Sequence, residues 1–143
     1  MSDCKVLLVD DEVDFVDILA DRLEARGLRV LKANSGREAL AVAEDKVLDA
    51  IVLDMAMPGM DGLETLEGLL EINPDLQVIL LTGRATLEQA ATAIRIGALD
   101  LLEKPADLVT LVSRIEMAAK KLWSMEEKRI EEKVVDIIRK KGW

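Results

Sequence analysis

Ala50-Ile51-Val52-Leu53-Asp54-Met55-Ala56-Met57-Pro58-Gly59 sets four uninterrupted apolar residues against a carboxylate and then a turn. A continuous apolar run this short, closed by turn residues, predicts a strand buried on both faces, as in a parallel sheet. Three more runs follow the same grammar. Residues 6–9 lead into Asp10-Asp11, residues 78–81 into Thr82-Gly83, and residues 99–102 into Glu103-Lys104-Pro105.

Helical segments separate these runs. Residues 13–26 carry Val13, Val16, Ile18, Leu19 and Leu23 at helical spacing and end at Gly27, a C-terminal stop. Arg29–Ala33 is a short second strand whose mixed composition suits a sheet edge. Ser35 with Glu38, and Thr86 with Gln89, form capping boxes that open helices, the second running to Ile96 before Gly97. Gly62–Ile72 is a helix stopped by Asn73-Pro74, and a last helix starts after Pro105. Five β/α units with short connections predict an open doubly wound parallel sheet with helices on both faces. A closed barrel needs about eight units and about 250 residues.

Composition bounds the function. The 143 residues suffice for one domain and a terminal extension, divided here as 1–120 and 121–143. A net charge of −9, from 28 acidic and 19 basic residues, argues against direct nucleic-acid binding, which needs basic surface to displace counterions. No run approaches the roughly 18 apolar residues that span a bilayer, and Met1-Ser2-Asp3-Cys4 lacks the order of a signal peptide. No membrane association and a cytoplasmic location are therefore expected, in keeping with a single cysteine. The absence of histidine leaves carboxylates, hydroxyls and lysine to carry any chemistry.

In open α/β sheets ligands bind beyond the carboxyl ends of the strands. That rule gathers Asp10, Asp11, Asp54, Thr82 and Lys104 onto one edge. Each has an ordinary explanation alone: a helix cap for Asp10 or Asp11, a turn for Asp54 and Thr82, a solvated loop for Lys104. Together they make a site. Three adjacent carboxylates repel unless a cation lies between them, and an all-oxygen donor set selects a hard ion such as Mg2+. Asp54 is then a nucleophile for in-line phosphoryl transfer, with Lys104 neutralising the phosphoryl oxygens. The Thr82 hydroxyl can donate to a phosphoryl oxygen only when one is present, which makes it a switch.

The stretches Val6-Leu7-Leu8-Val9-Asp10-Asp11-Glu12, Leu53-Asp54-Met55-Ala56-Met57-Pro58-Gly59-Met60-Asp61-Gly62, Leu80-Leu81-Thr82-Gly83 and Gly97-Ala98-Leu99-Asp100-Leu101-Leu102-Glu103-Lys104-Pro105 carry a resemblance. The chain resembles the receiver domain of two-component response regulators over roughly residues 3–120. Residues 81–83 and 104–108 look like the nitrogen-regulator type. The sheet expected is flavodoxin-like, in strand order 2-1-3-4-5, with an extended C-terminal helix. The resemblance implies phosphorylation of Asp54 by a histidine kinase or phosphotransfer protein. It implies Mg2+ held by Asp11, Asp54 and the Ala56 carbonyl, with Asp10 acting through water, and a cis peptide before Pro105. One departure stands out: Leu101 occupies the position where the family usually carries the Tyr or Phe that moves with the threonine. A weaker or different response on the last-helix face is expected. Ala56 offers no polar atom to an attacking water and Arg84 can shield the phosphoryl group, so a long-lived phosphorylated state is expected.

The last helix uses Leu108, Leu111, Val112, Ile115, Ala118 and Ala119 as its core face. Its apolar pattern continues through Trp123, Ile130, Val134 and Ile137, a stripe that could pair with a second copy, fold back on the domain or dock on a partner. Three functions follow. The chain is a receiver acting through a downstream protein target, or the receiver and linker of a larger sigma54-type transcriptional activator, or an aspartyl-phosphate phosphatase. Ala56, where the last would want a second acid, counts against it.

Overall fold

The computed structural model describes residues 4–57, 60–83 and 86–142. Five strands, β1 (Lys5–Val9), β2 (Arg29–Ala33), β3 (Ala50–Asp54), β4 (Val78–Thr82) and β5 (Asp100–Glu103), form one parallel sheet in the order β2-β1-β3-β4-β5. Five helices alternate with them: α1 (Val13–Ala25), α2 (Gly36–Asp45), α3 (Gly62–Ile72), α4 (Leu87–Ile96) and α5 (Leu108–Lys140). The flavodoxin-like order expected from the sequence is present.

The pleat explains why both faces are covered. Val6 and Leu8 of β1 point into a layer with Val16, Ala20 and Leu23 of α1 and Leu111 and Ile115 of α5. Leu7 and Val9 point the opposite way, into a layer with Ala39 of α2, Leu66 and Leu69 of α3 and Ala93 of α4. β1, β3 and β4 are central and accordingly apolar, whereas β2 and β5 lie at the edges and tolerate charge.

Two expectations shift. The fifth strand begins at Asp100, one residue later than its apolar run. The Leu99 N–H donates to the Val78 carbonyl as a lead-in, and edge position lets Asp100 point out to pair with Arg114 of α5. In α1 the buried stripe is Val16, Ala20 and Leu23, while Val13 and Ile18 are exposed. The helix turns Phe15 toward the core instead, beside the expected Leu19.

Capping follows the expected residues with one variation. Thr86 and Gln89 make the full reciprocal box. At α2 the Ser35 hydroxyl accepts the Glu38 N–H, but Glu38 reaches back to the Asn34 N–H, one residue beyond the cap.

α5 is one helix of 33 residues. Leu122 is buried, and the Trp123 indole N–H donates to Asp49 Oδ1 at 2.9 Å. Asp49 Oδ2 also accepts the Lys5 backbone N–H. Farther on, both terminal nitrogens of Arg129 bond the two oxygens of Asp75. Asp49 precedes β3 and Asp75 precedes β4, so α5 passes along the amino edge of the sheet, opposite the candidate site. Ile130, Val134 and Ile137 remain exposed beyond it. Of the three covers considered for the stripe, folding back accounts for Trp123 alone.

Candidate functional site

Strand ends deliver the chemistry to one edge. Asp10 directly follows β1, Asp54 ends β3, Thr82 ends β4 and Lys104 follows β5. Backbone N–H groups of Asp10, Met55 and Lys104 donate to the carbonyls of Ala33, Leu81 and Thr82 at 3.1, 3.0 and 2.7 Å. The ladder therefore continues just past the strands and holds these positions in register.

Carboxylate oxygens of Asp10, Asp11 and Asp54 lie within 4.8 Å of one another. Asp10 and Asp54 are buried, whereas Asp11 is exposed. The Lys104 Nζ donates to Asp10 Oδ2 at 2.8 Å and stands 3.4 Å from Asp54 Oδ1. Its ammonium also lies 4.7 Å from the centre of the Phe15 ring. Asp10 uses its other oxygen to accept the Glu12 N–H at 3.0 Å. That bond closes a turn just ahead of α1 and does not cap the helix, whose N-cap is Glu12 with no side-chain cap bond.

Electrostatics follow from this packing. Burial, reinforced by the Asp10 carboxylate, raises the Asp54 carboxyl above its ordinary value against the pull of Lys104 and the Ala56 N–H. Burial works against the Lys104 charge, but its hydrogen bond to Asp10 and the nearby Asp54 charge outweigh it and hold the ammonium above its ordinary value. Three carboxylates against one ammonium leave a surplus of negative charge that a further cation, or a proton on one carboxyl, can balance. Oxygen donors this close, two of them buried, suit a hard divalent ion.

The loop after Asp54 depends on Gly62. Its N–H donates to the Met55 carbonyl at 2.9 Å. A Cβ there would lie 2.4 Å from Met55 Cα and 2.7 Å from the Asp54 carbonyl oxygen. Only glycine lets α3 begin against the end of β3.

The other expected residues are placed as follows. Thr82 is buried, Ala56 is exposed, and Leu101 is half-buried against the layer shared with α2 to α4. The Lys104-Pro105 peptide is cis. Arg84, proposed to shield the phosphoryl group, lies outside the described residues, as do Pro58 and Gly59. Two contributors escaped the sequence reading: Phe15 beneath Lys104, and Asn34, whose Nδ2 donates to the Asp10 carbonyl at 3.3 Å. The available signal for Phe15 was its place four residues after Asp11 as the chain's single phenylalanine.

Residues 6–116 match the response regulator receiver domain. The chain belongs to that family. It is 38% identical over 113 residues to the transcriptional regulatory protein ZraR of Escherichia coli K12, covering 79% of this chain and 26% of that protein. It is 39% identical over 119 residues to a putative response regulator, NtrX-like, of Rickettsia bellii, covering 80% of this chain and 25% of the relative. The receiver thus spans about a quarter of the length of each, and its nitrogen-regulator likeness stands. A response regulator from Burkholderia pseudomallei, solved with a phosphorylated aspartic acid, calcium ion and citrate, superposes with a TM-score of 0.75 at 26% identity, covering 98% of this chain and 86% of that one. The receiver is a signalling domain. Among its described residues no helix is long and apolar enough to cross a membrane.

Proposed function

We propose that this receiver accepts a phosphoryl group on Asp54 from a partner histidine kinase or phosphotransfer protein and changes its protein contacts in response. One observation carries the reading: Asp54 shares a buried edge with Asp10 and Asp11 while the Lys104 ammonium faces both Asp10 and Asp54. Asp11, Asp54 and the Ala56 carbonyl would hold Mg2+ directly, and Asp10 through water. When bound, that ion supplies positive charge to the phosphoryl oxygens and to the crowded carboxylates.

The chain's own residues do the rest. An Asp54 carboxylate oxygen forms the bond to phosphorus as the bond from phosphorus to the donor's imidazole nitrogen breaks, the electron pair leaving with the imidazole. Lys104, still bonded to Asp10, turns another of its three donors toward a phosphoryl oxygen. The Thr82 hydroxyl donates to another, carrying the end of β4 inward. The Ala56 side chain gives an attacking water no acceptor, so hydrolysis is slow and the domain acts as no more than a slow autophosphatase.

Incubation with acetyl phosphate and Mg2+ tests this. The wild type should gain one phosphoryl group by mass and Asp54→Ala none; a wild type that stays unmodified overturns the reading. For the switch, Leu101 lacks the aromatic ring of its family counterparts. Beryllofluoride should therefore shift the NMR signals of β5 and α5 less in the wild type than in Leu101→Tyr, and equal shifts would reject a weakened response.

The length of the curated relatives favours a second reading, in which residues 1–120 are the receiver and 121–143 the linker of a larger sigma54-type activator. The reading frame beyond Trp143 decides that. In either case the exposed stripe at Ile130, Val134 and Ile137 offers a homodimer contact, and a cytoplasmic location suits a kinase partner.

A further inference from the structure

Lys104 is held from three sides. Asp10 Oδ2 accepts from its ammonium at 2.8 Å, Asp54 Oδ1 stands at 3.4 Å, and the Phe15 ring centre lies 4.7 Å away. The ring belongs to the first turn of α1 and packs, half-buried, against the core layer shared with α5. Asp10 and the ring are thus set by the same short stretch of chain, the end of β1 and the start of α1.

The chemistry of those three sides differs. An ammonium carries three donor protons. Asp10 takes one in a hydrogen bond and Asp54 pairs with the charge at 3.4 Å, whereas an aromatic face attracts the cation through its quadrupole without taking up a full hydrogen bond. A carboxylate in place of Phe15 would draw the ammonium off the site, and a water there would occupy the third donor. The ring holds the charge in place and leaves one donor for an incoming phosphoryl oxygen.

We propose that Phe15 is a positioning residue for phosphoryl transfer, holding the Lys104 ammonium over the paired carboxylates through its π face. The proposal rests on the reading of Asp54 as phosphoacceptor and Lys104 as its counter-charge. The competing explanation is plain packing, since Phe15 also joins the core and lines a cavity of about 230 Å³ with Leu19, Leu81 and Pro105. Packing responds to shape, whereas the cation–π contact responds to the electron density of the ring.

A series of fluorinated phenylalanines at position 15 separates the two, because fluorination drains the π face with little change of shape. With acetyl phosphate and Mg2+, the phosphorylation rate should fall stepwise along the series, by roughly two- to fivefold at the trifluoro ring, with the melting temperature unchanged. Phe15→Leu should fall at least as far, and Phe15→Trp, which the adjoining cavity can admit, should recover the rate. Before any donor is added, the Lys104 ε-methylene protons should be ring-shifted upfield in the wild type and lose that shift in Phe15→Leu. A flat rate across the series, in a wild type that does take phosphate, overturns the proposal alone, as does an unshifted Lys104. A wild type that takes no phosphate while Lys104 is ring-shifted overturns the reading of the site, and the role assigned to Phe15 with it.

Discussion

Lys104→Met keeps the length of the side chain and removes the charge between Asp10 and Asp54. The loss of a preorganised donor aimed at developing phosphoryl charge costs on the order of a hundredfold in rate. A mass-spectrometric time course with acetyl phosphate should show that slowing with the fold intact by circular dichroism. A rate near that of the wild type would remove Lys104 from the chemistry. Gly62→Ala acts on the neighbouring backbone instead. Its added Cβ meets Met55 Cα at 2.4 Å and the Asp54 carbonyl oxygen at 2.7 Å, contacts that no side-chain rotation relieves. A destabilisation of about 1–3 kcal/mol in urea unfolding is expected, accompanied by slower phosphorylation because the shifted loop carries Ala56. At this scale Asp54, Thr82 and Lys104 were legible because residue type and strand-end position coincide in the chain itself. Phe15 and Asn34 were not, because each acts through a tertiary contact that no spacing in the sequence announces.

At the scale of elements, all five strands and the helices follow from apolar runs and caps to within a residue or two. The fifth strand is offset by one residue because hydrophobicity marks burial and not pairing. Asp100 takes part in the ladder opposite Ile79 even though its side chain turns out to Arg114. Likewise Trp123 belonged to an apolar stripe by spacing, yet its indole N–H binds Asp49 on the domain. That contact and the Arg129–Asp75 pair tie the distal part of α5 to the amino edge, and the pair gives the tie a pH dependence. Arg129 lowers the Asp75 carboxyl below its ordinary value. The carboxylate is therefore favoured by the docked state, so its contribution is full above the ordinary carboxylate range of about pH 4. It disappears as the pH falls through the lowered value. Amide exchange in residues 124–140 should accelerate there in the wild type, whereas Arg129→Gln should exchange faster already at neutral pH. Indistinguishable exchange in the two proteins at neutral pH would show that the pair contributes nothing to docking.

The whole molecule has its chemistry at the carboxyl edge of the sheet and a long helix leaving past the amino edge. At 1.5 Å per residue, the 33 residues of α5 span about 50 Å, enough to connect the two edges and project beyond. Ile130, Val134 and Ile137 on the projecting part are 63%, 48% and 44% exposed. Burying half of such a side chain is worth about 1 kcal/mol, so six of them across a two-fold pair contribute roughly 6 kcal/mol. Association itself costs about 4–15 kcal/mol. The stripe by itself therefore sits near break-even and cannot hold a tight dimer. Sedimentation velocity should find this chain monomeric at low micromolar concentration, with self-association appearing only toward the millimolar range. Replacing Ile130, Val134 and Ile137 together by Gln should abolish that association without altering Asp54 phosphorylation, because these residues lie at the end of the molecule away from the site. A dimer that persists at nanomolar concentration would require a second interface, and one that survives the triple substitution would move the contact off this helix.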